Sequence, residues 1–133
     1  MKVLIDTNIL ISAALHPGST PAAAFEKAVS HPNQGVICEQ NVDELRRVFN
    51  RKFPERIKSL EQFLSLALTV LDVVPMPEVE EADEAKIRDV MDRPILRAAI
   101  TAKVDVLLTG DKDFLDSGIE HPVILTASQF VDG

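Results

Sequence analysis

The chain has 133 residues, of which 46% are apolar and 26% charged, so we expect one ordinary globular domain over residues 1–133. No apolar run approaches the roughly 18 residues that cross a bilayer, and Asp6 comes too early for a signal peptide, so we expect no membrane segment and a cytoplasmic location. The net charge of −7 argues against a protein that binds nucleic acid through a broad basic face. The single Cys38 excludes an intrachain disulfide and a cysteine-based zinc site.

Short apolar runs alternate with amphipathic stretches along the chain. The runs predict five strands, at residues 3–5, 36–38, 73–74, 105–109 and 123–125. Apolar spacing and capping residues predict helices at residues 9–15, 22–30, 41–53, 55–71 and 94–102, and a last short helix after Thr126 or Ser128. The acidic stretch 78–92 is predicted to be mostly a solvated connection or a short helix.

This alternation predicts an α/β fold with a central parallel sheet of about five strands and helices on both faces. The run 3–5 is expected at the centre of the sheet, with the runs 36–38 and 106–108 beside it. Right-handed crossovers would place the carboxyl ends of all strands at one edge of the sheet.

Four acids are predicted to lie at that edge. Asp6 and Asp111 follow the first and fourth strands, Glu44 lies in about the first turn of the helix after the second strand, and Asp92 begins the helix before the fourth strand. Each alone has an ordinary interpretation as a helix cap, a solvated residue or a turn residue. Together they would repel one another, and a hard divalent cation such as Mg²⁺ or Mn²⁺ is the usual compensation for oxygen-only ligands.

Four short motifs occur in order along the chain. They are Leu4-Ile5-Asp6-Thr7-Asn8, Glu44-Leu45, Asp92 with Ile95-Leu96-Arg97-Ala98-Ala99, and the run from Leu107 to Phe114. In this order and spacing they resemble the PIN-domain family, close to its toxin-type, VapC-like members. The resemblance covers about residues 1–130 and implies a three-layer α/β/α fold. It also implies a metal-dependent endoribonuclease that hydrolyses RNA, often as a homodimer and often paired with an antitoxin protein.

The resemblance also implies roles for single residues. The catalytic and metal-binding acids would be Asp6, Glu44, Asp92 and Asp111. Auxiliary positions would be Thr7, Asn8, Asp89, Thr109 and Asp113. Since Asp89 lies three residues before Asp92, either of the two could be the third acid.

Basic residues near the motifs are candidates for local contacts with RNA phosphates. Three lie close to the third and fourth motifs: Arg93, Arg97 and Lys112. Four more cluster on one predicted helix: Arg46, Arg47, Arg51 and Lys52. Ordinary solvated charge is the alternative for all of them.

Two other functions remain open from the sequence. One is a phosphatase-like hydrolase with Asp6 as nucleophile, although position 8 is Asn where that chemistry usually needs a second Asp. The other is a non-catalytic or differently specialised PIN-like module that binds nucleic acid. Association with a second chain, either a copy or an antitoxin, is predicted through apolar helix faces around Phe25, Phe49, Phe53 and Phe63.

Overall fold

A five-stranded parallel sheet forms the centre of the computed structural model, which describes residues 1–133. Its strands are β1 (Lys2–Ile5), β2 (Gln34–Cys38), β3 (Leu71–Val74), β4 (Val106–Leu108) and β5 (Val123–Leu125). The strand order is β3-β2-β1-β4-β5, with every neighbouring pair parallel. The predicted central position of the first strand, between the second and the fourth, is therefore confirmed.

Seven α-helices and three short 3-10 turns connect the strands. The helices are α1 (Thr7–Leu15), α2 (Thr20–Val29), α3 (Glu39–Lys52), α4 (Ile57–Ala67), α5 (Arg93–Thr101), α6 (Lys112–Leu115) and α7 (Ala127–Asp132). The 3-10 turns are Pro54–Arg56, Ala82–Lys86 and Val90–Asp92. None of the helices is long and apolar enough to span a membrane.

Alternate residues of the buried strands belong to two separate hydrophobic cores, one on each face of the sheet. Val3 and Ile5 of β1 point to the core that α1, α2, α3, α4 and α7 cover. Leu4 points to the opposite core, which contains α5 residues together with Ile87 and Phe114. Both faces of the sheet are thus covered, as parallel sheets require. This arrangement is the predicted three-layer α/β/α fold.

The helix predicted at 55–71 is wrong at both ends. Residues 54–56 form a 3-10 turn, and α4 ends at Ala67. Leu71 belongs to β3 instead, where it pairs with Gly35 of β2. A Cβ atom at position 35 would lie 2.7 Å from Leu71 Cδ2, so the missing side chain makes room for this pairing.

The acidic stretch 78–92 is less solvated than predicted. The side chain of Glu84 is buried, and its Oε1 lies 2.8 Å from Nη2 of Arg97 on α5. Arg97 Nη1 also donates to the carbonyl of Pro77 at 2.9 Å. The Arg97 guanidinium therefore links this segment to α5, whose apolar residues belong to the core on the opposite face of the sheet.

Candidate functional site

Asp6 lies at the carboxyl end of β1, where the strand passes into α1. Its Oδ1 accepts the backbone N–H of Thr7 at 2.8 Å, so it caps the helix. Its Oδ2 accepts the Thr109 hydroxyl at 2.8 Å. Only 7% of Asp6 is exposed, and this burial raises its pKa from 3.8 to about 6; the two hydrogen bonds oppose the rise, while the charges of Glu44 and Asp111 add to it.

Two polar bridges join the loops that follow the neighbouring strands β1 and β4. The Thr109 hydroxyl donates to Asp6 and accepts the backbone N–H of Asp111 at 3.0 Å. The backbone N–H of Gly110 donates to Asn8 Oδ1 at 3.1 Å. The predicted auxiliary residues Asn8 and Thr109 thereby fix Asp6 and Asp111 relative to each other.

Asp92 reaches the same place from the other side, at the end of the turn Val90–Asp92. Its Oδ2 is buried and has no hydrogen-bond partner. The pKa of Asp92 is raised, first by burial, then by the adjacent Asp111 carboxyl and by the charges of Asp6 and Asp89. A buried acceptor among like charges is stable only with a proton or a cation beside it.

Glu44 lies in the second turn of α3, one turn later than predicted, because the helix already begins at Glu39. Its Oε2 accepts the Thr7 hydroxyl at 3.2 Å. That hydroxyl in turn accepts the side-chain N–H of Asn41 at 2.8 Å, and Asn41 Oδ1 accepts the backbone N–H of Cys38 at 3.1 Å. This chain of hydrogen bonds links the end of β2 to Glu44.

Asn41 is a site residue that the sequence analysis missed. It is completely buried, although asparagine is usually exposed. The signal available in the sequence is its spacing, three residues after the end of a buried strand and three before Glu44 on the same helix. Asn41 positions an acid through Thr7 and does not itself line the cleft.

A second, outer group of acids shares Asp92 with the first. One carboxylate oxygen each from Asp89, Asp92 and Asp113 lies within 4.8 Å of the others. Asp89 is exposed and caps the following turn by accepting the N–H of Met91. Asp113 Oδ1 accepts two N–H groups of the exposed Arg88, at 2.7 and 2.9 Å. Of the alternatives Asp89 and Asp92, Asp92 is the one whose side chain is hydrogen-bonded to Asp111.

Three of the acids, Glu44, Asp89 and Asp92, line a cavity of about 260 Å³ between α3 and the segment before α5, which we call the acid cleft. It is lined by Gln40, Glu44, Arg47, Val48, Arg51, Asp89, Met91 and Asp92. Asp6 and Asp111 are not among its lining residues. Neither Arg93 nor Arg97 lines it; both face a second cavity that also contains Glu84. Lys112 is exposed and directly follows Asp111.

The donor set fits a hard divalent cation. Every candidate ligand is a carboxylate oxygen, and no histidine or cysteine lines the acid cleft. A carboxylate site that binds a cation should have unpartnered oxygens and raised pKa values when the cation is absent. The Asp92 Oδ2 has no partner, and the pKa values of Asp6 and Asp92 are both raised.

Comparisons with known proteins agree with this fold. The chain matches the family model of the PIN domain over residues 2–113. It is similar in structure to VapBC2 from Rickettsia felis bound to a promoter DNA fragment, with a TM-score of 0.72, 16% identity, and 95% of this chain and 98% of that chain covered. It is also similar to a toxin-antitoxin complex from Klebsiella pneumoniae, with a TM-score of 0.62, 24% identity, and 94% and 97% covered. No curated protein matches its sequence.

Proposed function

Because the chain belongs to the PIN-domain family, whose members are nucleases, we propose that it is an endoribonuclease that needs Mg²⁺ or Mn²⁺ to hydrolyse RNA phosphodiester bonds. The observation that carries the proposal is that acids from four separate parts of the chain lie close together at one edge of the sheet, with Glu44 and Asp92 also lining the acid cleft. Asp6 and Asp111 are bridged through Thr109, and Asp92 adds an unpartnered buried oxygen beside them.

In this proposal the residues divide into ligands and positioning residues. The ligands are Asp6, Glu44, Asp92 and Asp111, with Asp89 and Asp113 as auxiliary acids. The positioning residues are Thr7, Asn8 and Thr109, which hold the acids through the hydrogen bonds described above. A bound divalent cation supplies Lewis-acid chemistry toward water and phosphate oxygens. Before it binds, Asp92 Oδ2 is the atom best placed to hold a proton, since nothing else satisfies it.

We further propose that the chain is the toxin of a toxin-antitoxin pair, because the two similar structures are VapBC2 and a toxin-antitoxin complex. An antitoxin or a second copy would cover an apolar depression on α2 and α4. It is lined by Phe25, Phe63, Leu66, Ala67, Thr69 and Val70. Phe49, which the sequence analysis placed on an association face, is instead core. A cytoplasmic location is part of the same proposal, because RNA would be the substrate.

A cleavage assay over a panel of structured and single-stranded RNAs tests the proposal. Activity should vanish in EDTA and return with Mg²⁺ or Mn²⁺. Asp6→Asn and Asp111→Asn should each lose most activity and stay folded, whereas Glu26→Gln, which removes an exposed charge on α2, should behave as wild type. Cleavage that survives EDTA would refute the cation requirement. RNA binding without any cleavage would favour the non-catalytic alternative.

A further inference from the structure

The acid cleft has one basic wall, formed by Arg47 and Arg51 of α3. Both line the cleft together with Glu44, and the spacing 44, 47, 51 puts all three on one face of the helix. The two arginines are exposed, and neither side chain forms an ion pair or donates a hydrogen bond within the chain. Two unpaired guanidinium groups therefore line the same cleft as Glu44, Asp89 and Asp92, whose Oδ2 has no hydrogen-bond partner.

Other arginines near the site are already engaged. Arg46, the sequence neighbour of Arg47, is paired with Glu61 at 2.9 Å and does not line the cleft. The remaining pairs are Arg88 with Asp113 and Arg97 with Glu84, and Arg93 donates to the carbonyl of Ile87. Arg47 and Arg51 therefore differ from the other arginines around the acids, because their guanidinium groups have no partner within the chain.

We propose that Arg47 and Arg51 bind the backbone phosphates of an RNA strand on the α3 side of the scissile bond. The inference rests on the proposed ribonuclease function and names the substrate contact of that same site. A chain with a net charge of −7 repels RNA, so binding at the cleft needs local positive charge that no carboxylate of the chain has already neutralised. A guanidinium offers several N–H donors to phosphate oxygens, and Met91 and Val48 give the cleft an apolar patch for a sugar or base.

The test compares a double variant, Arg47→Ala with Arg51→Ala, with a control of equal charge change, Arg56→Ala with Lys58→Ala. The control residues are exposed and lie outside the acid cleft. The probe is a fluorescein-labelled single-stranded RNA of mixed sequence, bound in the Asp111→Asn background so that it is not cut. Cleavage of the RNA by the two double variants that keep Asp111 gives their kcat and KM.

The Arg47/Arg51 variant should bind the probe on the order of tenfold more weakly at about 0.1 M salt, and the slope of log affinity against log salt should shrink by about 0.7 for each lost arginine. KM should rise while kcat and the Mn²⁺-induced rise in Tm stay near wild type, since the acids are untouched. Binding and salt slope equal to those of the control variant would overturn the assignment while leaving the ribonuclease proposal intact. A wild-type protein that neither binds nor cuts RNA would overturn both.

Discussion

Replacing Asp6 with asparagine should stabilise the cation-free protein at neutral pH. In the folded chain the pKa of Asp6 is about 6, above the value of 3.8 expected when it is solvated. The folded state therefore binds this proton more tightly, so stability falls as pH rises from about 4 through about 6 and stays low above that. A shift of about two pKa units corresponds to a loss of about 3 kcal/mol at pH 7.

The substitution removes the buried charge but also disturbs one contact. An asparagine amide can still accept from Thr7 with its oxygen, but its NH₂ cannot accept the Thr109 hydroxyl, which costs about 1 kcal/mol. The expected net gain is about 1–2 kcal/mol at pH 7. For a chain of this length that is a rise in Tm of about 4–8 °C.

Thermal unfolding of wild type and Asp6→Asn in EDTA, from pH 4.5 to 8, measures this directly. The two curves should separate as pH rises, because only wild type carries the penalty at position 6. Adding Mg²⁺ or Mn²⁺ should raise the Tm of wild type more than that of the variant. The reasoning is refuted if Asp6→Asn unfolds at a lower temperature than wild type at pH 8, or if its Tm changes with pH as wild type's does. Glu26→Gln serves as the control and should follow wild type throughout.

Two further substitutions test other parts of the structure. Asn41→Ala should lower the free energy of unfolding in urea by about 1–3 kcal/mol, because it leaves the Cys38 N–H without its acceptor. It should also reduce the Mn²⁺-induced rise in Tm, because Thr7 loses the donor that orients it toward Glu44. An unchanged Mn²⁺ response would assign Asn41 to stability alone. Glu84→Gln should destabilise the protein at pH 7 in urea unfolding, because the Arg97 guanidinium loses its nearer carboxylate partner at 2.8 Å and keeps only Glu80 at 4.0 Å. Because Arg97 lowers the pKa of Glu84 from its usual 4.5, that difference should shrink as pH falls below 4.5. A difference independent of pH would contradict the ion-pair explanation.

The sheet is largely predictable from the sequence. The boundary that is hardest to predict is the start of β3, for a physical reason. The apolar runs at 3–5 and 123–125 are bounded by polar or turn residues, so each could form little but a short buried strand. Leu71 is different, since it continues the helical spacing of Leu64 and Leu68 and also fits a strand. Leu71 is part of a strand because it pairs with Gly35, which is distant in the chain. No local sequence pattern predicts that contact.

The candidate site divides in the same way. Asp6 and Asp111 are predictable because parallel neighbouring strands must bring their carboxyl ends to one edge. Asn41 is not, because an asparagine near a helix start has an ordinary capping interpretation and its burial depends on Thr7. The ion pair of Glu84 with Arg97 is hidden as well, since it joins an acidic, irregular segment to a helix. Which arginines remain unpaired follows only from such pairings.

The bridge between Thr109 and Asp6 joins residues 103 positions apart, and Thr7 and Glu44 are 37 apart. Contacts between residues so far apart in the sequence form slowly, so we expect the site to be completed only once β1 has paired with β4. Proteolytic nicking that releases β4, or any truncation that removes it, should abolish cation affinity outright rather than weaken it. Divalent-cation affinity, if the proposed site binds the ion, should therefore report the complete native topology, and it should appear in refolding experiments together with the last amides to become protected from hydrogen exchange.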